Sequence, residues 1–201
     1  MTTAAENDKH KLRMARRKAA VDARIAKATD ERGVLILLKG TGKGKSSSAF
    51  GTLIRALGHG KKAAVIQFIK GRVSTGEFLF FQQHPIVDFH VMGHGFTWET
   101  QDKAQDIAAA KKAWAVAESY LSNPEYDFLI FDELSYMFKY KYLDIAPVIT
   151  ALQNRPAHQN VMITGRTMVQ PLEDIADTIS NVKDERHAFR QGVKAQAGIE
   201  Y

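Results

Sequence analysis

Val34-Leu35-Ile36-Leu37-Leu38-Lys39-Gly40-Thr41-Gly42-Lys43-Gly44-Lys45-Ser46-Ser47-Ser48 reads as a buried strand running straight into a glycine-rich loop and then into a helix. The apolar run is too short for a helix and has the composition of a strand covered on both faces. Ser46–Leu57 then takes up helical spacing. In such a loop the glycines let successive backbone N–H groups turn inward around an anion. Lys45 adds a point charge, Ser46 offers a hydroxyl to Mg²⁺, and the helix amino terminus contributes its dipole. The common phosphate-loop pattern places four residues between its first glycine and the glycine before the lysine. Counting from Gly40 to Gly44 leaves three, so the loop is expected to be one residue tight and to hold its nucleotide in an unusual way. The structural alternative, a glycine-rich turn with no ligand, accounts less well for strand, loop and helix arriving in that order.

Further along, Ala63–Phe68, Val87–Val91, Asp127–Phe131 and Asn160–Thr164 are also short apolar runs, each expected as a strand buried on both faces. Thr100–Leu121 and Leu143–Gln153 have helical spacing between them, with Asn123-Pro124 and Arg155-Pro156 as stops. Gly58-His59-Gly60 reads first as a helix stop. Strands alternating with helices imply an α/β fold with a mostly parallel sheet and helices on both faces. Functional residues should gather beyond the carboxyl ends of the strands.

The 201 residues suit one domain of ordinary globular composition, 45% hydrophobic and 25% charged. Without cysteine there is no disulfide scaffold, thiolate metal site or cysteine nucleophile. That fits a reducing cytoplasm. The longest apolar stretch, Val34–Leu38, is far below the ~20 residues of a membrane helix, so no membrane partner is expected. The net charge of +6 is concentrated at one end. Residues 1–32 hold nine Lys and Arg against five Asp and Glu, and residues 33–201 hold nineteen against seventeen. A nearly balanced body argues against a nucleic-acid partner. Residues 1–32 therefore read as a basic helical arm and residues 33–201 as the α/β domain. Met14, Val21, Ile25 and Ala28 trace a narrow apolar stripe along Lys9–Thr29, which either docks on a surface or remains a solvated arm.

Phe128-Leu129-Ile130-Phe131-Asp132-Glu133 is an apolar strand ending in two acids. In a sheet of this type that end lies beside the phosphate loop, where a carboxylate can hold Mg²⁺ directly or through water. Glu133 is the first choice for this role and Asp132 the second. In a hydrolytic ATPase Glu133 would polarise the attacking water, but nothing in the sequence makes water the nucleophile. Met92-Gly93-His94-Gly95-Phe96-Thr97-Trp98-Glu99-Thr100 places two large aromatic residues in a glycine-flanked loop, suited to ligand contact or to local packing. Trp114 instead shares helical spacing with Ile107, Ala110, Ala117 and Leu121 and belongs in the core.

The ordered motifs Gly40-Thr41-Gly42-Lys43-Gly44-Lys45-Ser46, Gly58-His59-Gly60, Gln67-Phe68-Ile69-Lys70-Gly71, Gly95-Phe96-Thr97-Trp98-Glu99-Thr100, Asp132-Glu133-Leu134-Ser135-Tyr136, Thr164-Gly165-Arg166 and Gly192–Tyr201 resemble the P-loop ATP:corrinoid adenosyltransferases. The resemblance implies a P-loop NTPase architecture of RecA-like type. It also implies a reaction: cobalt(I) of a corrinoid such as cobalamin attacks the 5′ carbon of ATP, giving a cobalt–carbon bond and tripolyphosphate. By the same resemblance Gly40–Ser47 hold ATP and Mg²⁺. Phe96 and Trp98 meet the corrinoid and displace its lower ligand, which eases reduction of cobalt(II). An electron donor such as a reduced flavin or flavodoxin, and a homodimer whose basic arm covers the corrinoid site, are further implications. Arg55, Lys70, Arg166 and His187 are secondary candidates that read equally well as surface residues. Ser46-Ser47 replace the family's usual Thr-Thr while retaining the hydroxyl, and His94 and Thr167 also depart from it. The rival readings are a RecA-like nucleic-acid-dependent ATPase, which would use the same loop, carboxylates and Arg166, and a non-catalytic nucleotide-binding regulator.

Overall fold

Along each central strand, alternate side chains enter opposite layers of core, as the period of two in an extended chain requires. Leu35, Leu37, Ala64, Ile66, Leu129, Phe131, Val161 and Ile163 pack on one face. Leu38, Ala63, Val65, Phe128, Ile130 and Met162 pack on the other. The computed structural model describes residues 4–69, 74–92 and 102–201. The chain divides into two units, Met1–Arg32 and Gly33–Tyr201.

The first unit is one helix, α1 (Ala4–Ile25). Glu6 in its first turn and Arg24 in its last complement the helix dipole, and Lys18 pairs with Asp22 one turn on at 3.7 Å. Leu12, Met14, Val21 and Ile25 are exposed. The helix begins five residues before the segment expected from the sequence and ends four before it.

The second unit runs β1 (Leu35–Lys39), α2 (Lys45–Gly58), β2 (Ala63–Gln67), α3 (Gly76–Phe81), β3 (Val87–Val91), α4 (Lys103–Leu121), β4 (Phe128–Asp132), α5 (Ser135–Lys139), α6 (Ile145–Gln153), β5 (Asn160–Gly165), α7 (Gln170–Ile175) and β6 (Thr178–Asn181), followed by a 3₁₀ turn at Ala188–Gln191. The sheet order is β3-β2-β4-β5-β1-β6, with every pairing parallel. Phe50 and Leu53 of α2 and Phe81 of α3 cover one face. Ala110, Ala113, Trp114, Ala117 and Leu121 of α4, with Val148 and Leu152 of α6, cover the other. Truncating a fully enclosed side chain such as Leu37, which is 0% exposed, to Ala should cost about 2–5 kcal/mol.

The five expected strands are present, each within one residue of its expected ends. One expectation fails: β3 is an edge strand, and only Val87 of its five residues is buried. The sixth strand, β6, was not foreseen; all four of its residues are exposed. Gly58-His59-Gly60 does end α2: the His59 N–H returns to Ala56 O, and Gly60 adopts a left-handed φ of 69°. The parallel register fixes the site, because β1 and β4 flank β5 on opposite sides. The loop after β1 and the acids ending β4 are therefore two strand spacings apart, about 10 Å, over the carboxyl end of β5.

Candidate functional site

Thr164, near the end of β5, bridges that gap. Its hydroxyl donates to Asp132 Oδ1 at 2.7 Å and accepts the Glu133 N–H at 2.9 Å. From the other side the Ser46 hydroxyl, in the first turn of α2, donates to the same Asp132 Oδ1 at 2.8 Å. Gln67, the last residue of β2, donates its amide to Asp132 Oδ2 at 3.1 Å. Asp132 is thus buried, at 5% exposure, and fixed by donors from three elements. The Ser46 hydroxyl meets Asp132, the second of the two acids considered for the metal, and not Glu133.

Glu133 occupies a different environment. Its backbone has a φ of 58°, a left-handed conformation that costs a side-chain-bearing residue of order 1–3 kcal/mol. Its Oε2 is buried without a hydrogen-bond partner among the described residues. Burial, reinforced by the neighbouring Asp132, pushes its carboxyl up to about 7, while Lys45 and Arg166 pull the other way. Lys45 is also buried, and its Nζ donates to Gly42 O at 2.8 Å. Desolvation, with help from Arg166 and against the pull of Glu133, lowers the Lys45 pKa from the ordinary ammonium value.

The loop is held from outside the sheet's centre. Gly40 N–H donates to Arg166 O at 3.1 Å and Gly42 N–H to Val182 O at 2.9 Å. A Cβ on Gly40 would lie 2.3 Å from Val182 O, and one on Gly42 2.4 Å from Lys183 O. These two glycines are therefore required by the segment behind the loop, and their own N–H groups are spent on backbone carbonyls and not on an anion. Gly44 meets nothing within 4 Å but has a φ of 110° where it caps α2, and no side chain caps that end. The first-turn N–H groups of α2 accordingly face a cavity of about 460 Å³. Thr41–Ser47, Phe50, Gln67, Asp132, Glu133, Arg166, His187 and the turn Gly198–Tyr201 line it, and Thr75–Glu77 close one side. That is a usual size for a small-molecule site.

A family model described as "ATP:corrinoid adenosyltransferase BtuR/CobO/CobP" matches residues 31–201. The chain belongs to this family. A second model, "Cob(I)alamin adenosyltransferase N terminal", matches residues 1–25. The chain is 50% identical to a corrinoid adenosyltransferase of Pseudomonas aeruginosa over 98% of its length and 97% of the relative's. It is 47% identical to the corrinoid adenosyltransferase CobA of Salmonella typhimurium, and 46% identical to a corrinoid adenosyltransferase of Escherichia coli K12, in each case over 97% of this chain and 99% of the other. Among solved structures, domain III of the Thermotoga maritima replication initiation protein DnaA covers 86% of this chain and 64% of its own at TM-score 0.40 and 10% identity, a likeness too low to bear on fold or function.

Within the adenosyltransferase chain the expected site residues separate into three groups. Gly40–Ser47, Asp132, Glu133, Arg166 and His187 come together at or around the cavity. His187 also accepts the Phe189 N–H on Nδ1 at 3.2 Å, capping the 3₁₀ turn. Arg55 stands exposed in the last turn of α2, at the opposite end of that helix from the loop, and does not line the cavity. Lys70, Phe96 and Trp98 lie outside the described residues. Sequence reasoning gave no role to Gln67 and Thr164, although each is a polar residue ending a buried apolar strand, which is itself a signal.

Proposed function

We propose that the chain transfers the 5′-deoxyadenosyl group of ATP to cobalt(I) of a corrinoid at this cavity, releasing tripolyphosphate. The observation that carries the reading is the family match across residues 31–201, the same residues that build the cavity. Lys45, the first-turn N–H groups of α2 and Arg166 hold the triphosphate. The cobalt(I) electron pair forms the new bond to C5′, and the C5′–O bond breaks with its pair passing to the phosphate. Positive groups at the loop stabilise that departing charge. No proton moves in this exchange. Glu133 therefore has no proton to take in this step.

The donors beside the loop fit Mg²⁺. Ser46 and Asp132 are hard oxygen groups already in contact, and the orphaned Glu133 Oε2 adds a third. Bound there with ATP, Mg²⁺ would neutralise phosphate charge. Asp132 then orients Ser46, while Gln67 and Thr164 keep the carboxylate in place.

Phe96 and Trp98 are assigned to the corrinoid's lower face, the basic arm (1–32) to corrinoid binding, and a reduced flavin or flavodoxin to electron supply in a cytoplasmic homodimer. These assignments rest on the motif resemblance in the sequence. The test is to mix the protein with chemically reduced cob(I)alamin and MgATP. A light-sensitive alkylcobalamin and one tripolyphosphate per corrinoid are expected. Orthophosphate release that ignores the corrinoid would overturn the reading in favour of an ATPase.

A further inference from the structure

The cavity has a wall that the adenosyl-transfer chemistry has not used. Residues 196–201 form a tight turn in which Gly198 N–H donates to Tyr201 O at 2.7 Å and Gln196 N–H to Glu200 Oε2 at 2.9 Å. The other carboxylate oxygen of Glu200 meets Lys43 Nζ at 3.1 Å. Lys43 is the other lysine of the phosphate loop and is exposed, whereas Lys45 is buried and folded back on the loop's own backbone. Gly198, Ile199, Glu200 and Tyr201 all border the space beside it. A carboxylate thus occupies a loop cation at the edge of the place where a triphosphate would lie.

We propose that Glu200 is a positioning residue that competes with the triphosphate for Lys43, so that occupation of the phosphate loop transfers Lys43 from Glu200 to the ligand and releases the 196–201 turn. The proposal rests on the reading of the cavity as a triphosphate site. The chemistry is a simple exchange. A triphosphate offers Lys43 several negative oxygens against the single charge of Glu200, and the two anions repel each other when both are near the loop. The Gln196 N–H and the Lys43 ammonium together hold the Glu200 carboxyl below its ordinary value, so the competing group is an anion throughout the neutral range. The pair is partly exposed, which makes its contribution modest and sensitive to salt. Such an arrangement weakens the hold on the leaving tripolyphosphate without altering the loop itself.

Inorganic tripolyphosphate with Mg²⁺ is the probe, titrated calorimetrically into the full chain. Glu200→Gln should bind it about two- to fivefold more tightly than the parent at low salt, and the gain should shrink as ionic strength rises. Glu200→Asp, which keeps the charge, should behave as the parent. In a Lys43→Gln background most of the Glu200→Gln gain should disappear, because the competition has lost its object and only the repulsion between the two anions remains. Amide exchange in residues 196–200 should speed up when tripolyphosphate binds. Unchanged or weaker binding by Glu200→Gln, an equal gain without Lys43, or slower exchange in the turn would each overturn the proposal. A separate arm tests the underlying site: if Lys45→Ala leaves tripolyphosphate binding unaffected, the cavity reading fails first, and the exchange falls with it.

Discussion

Replacing Glu133 by Gln tests the electrostatics of the site without any ligand. Burial and the adjacent Asp132 push this carboxyl from 4.5 to about 7. At 1.36 kcal/mol per pH unit, its ionised form is disfavoured in the folded protein by about 3 kcal/mol. Because the folded state holds the proton more tightly than the unfolded chain, stability is greatest below the unfolded value near 4.5. It declines as pH rises from there to about 7 and levels off above. Glutamine has no proton to lose, so Glu133→Gln should lack this decline. Urea denaturation of both proteins from pH 4.5 to 8, without nucleotide or Mg²⁺, isolates the effect as the difference between two stability curves. The variant should gain on the parent by up to about 3 kcal/mol across pH 4.5 to 7, whatever constant offset the new amide introduces. Parallel curves would refute the reasoning and mean that Glu133 is hydrated or paired in solution.

Lys45→Ala removes a charge-assisted contact worth about 1.5–3 kcal/mol, so MgATP affinity measured by calorimetry should fall roughly 10- to 150-fold. Gly42→Ala forces a Cβ to 2.4 Å from Lys183 O, and thermal unfolding should report a loss of at least about 1 kcal/mol even without nucleotide. Phe96→Ala and Trp98→Ala should bind MgATP normally yet produce little four-coordinate cob(II)alamin by visible spectroscopy, and pre-reduced cobalt(I) should recover much of their rate. Deleting residues 1–28 should spare MgATP binding and weaken corrinoid binding; equal loss of both would make the arm structural.

The central strands were legible because each is a run of apolar residues covered on both faces, and burial on both faces is what such a run encodes. Thr178-Ile179-Ser180-Asn181 carried no such signal, since β6 lies at the edge with every residue exposed. The same physics explains β3: Val87–Val91 is apolar enough to suggest full burial, but only one of its edges is paired and most of its side chains are half-buried. At the site, Lys45, Ser46 and the Asp132-Glu133 pair were legible from local order along the chain. Which acid meets Ser46 depends on a strand end and a helix start 86 positions apart, and the Lys43–Glu200 pair spans nearly the whole domain. Arg55 illustrates the converse, where nearness in sequence does not bring nearness in space. A cation ten residues after Lys45 is close in sequence, yet a helix of 1.5 Å rise carries it about 15 Å away.

The backing of Gly40 and Gly42 by Val182 and Lys183 has a thermodynamic consequence. The residues that follow β6 hold the loop's curve in the folded protein, so its conformational entropy is lost on folding and not again when an anion arrives. On the reading of the cavity as a triphosphate site, the cradle is preorganised, and anion affinity depends on a segment following β6 that does not line the cavity. A graft of residues 40–46 alone onto another parallel sheet would inherit the glycines without the scaffold that shapes them; the portable unit is the loop together with residues 181–183.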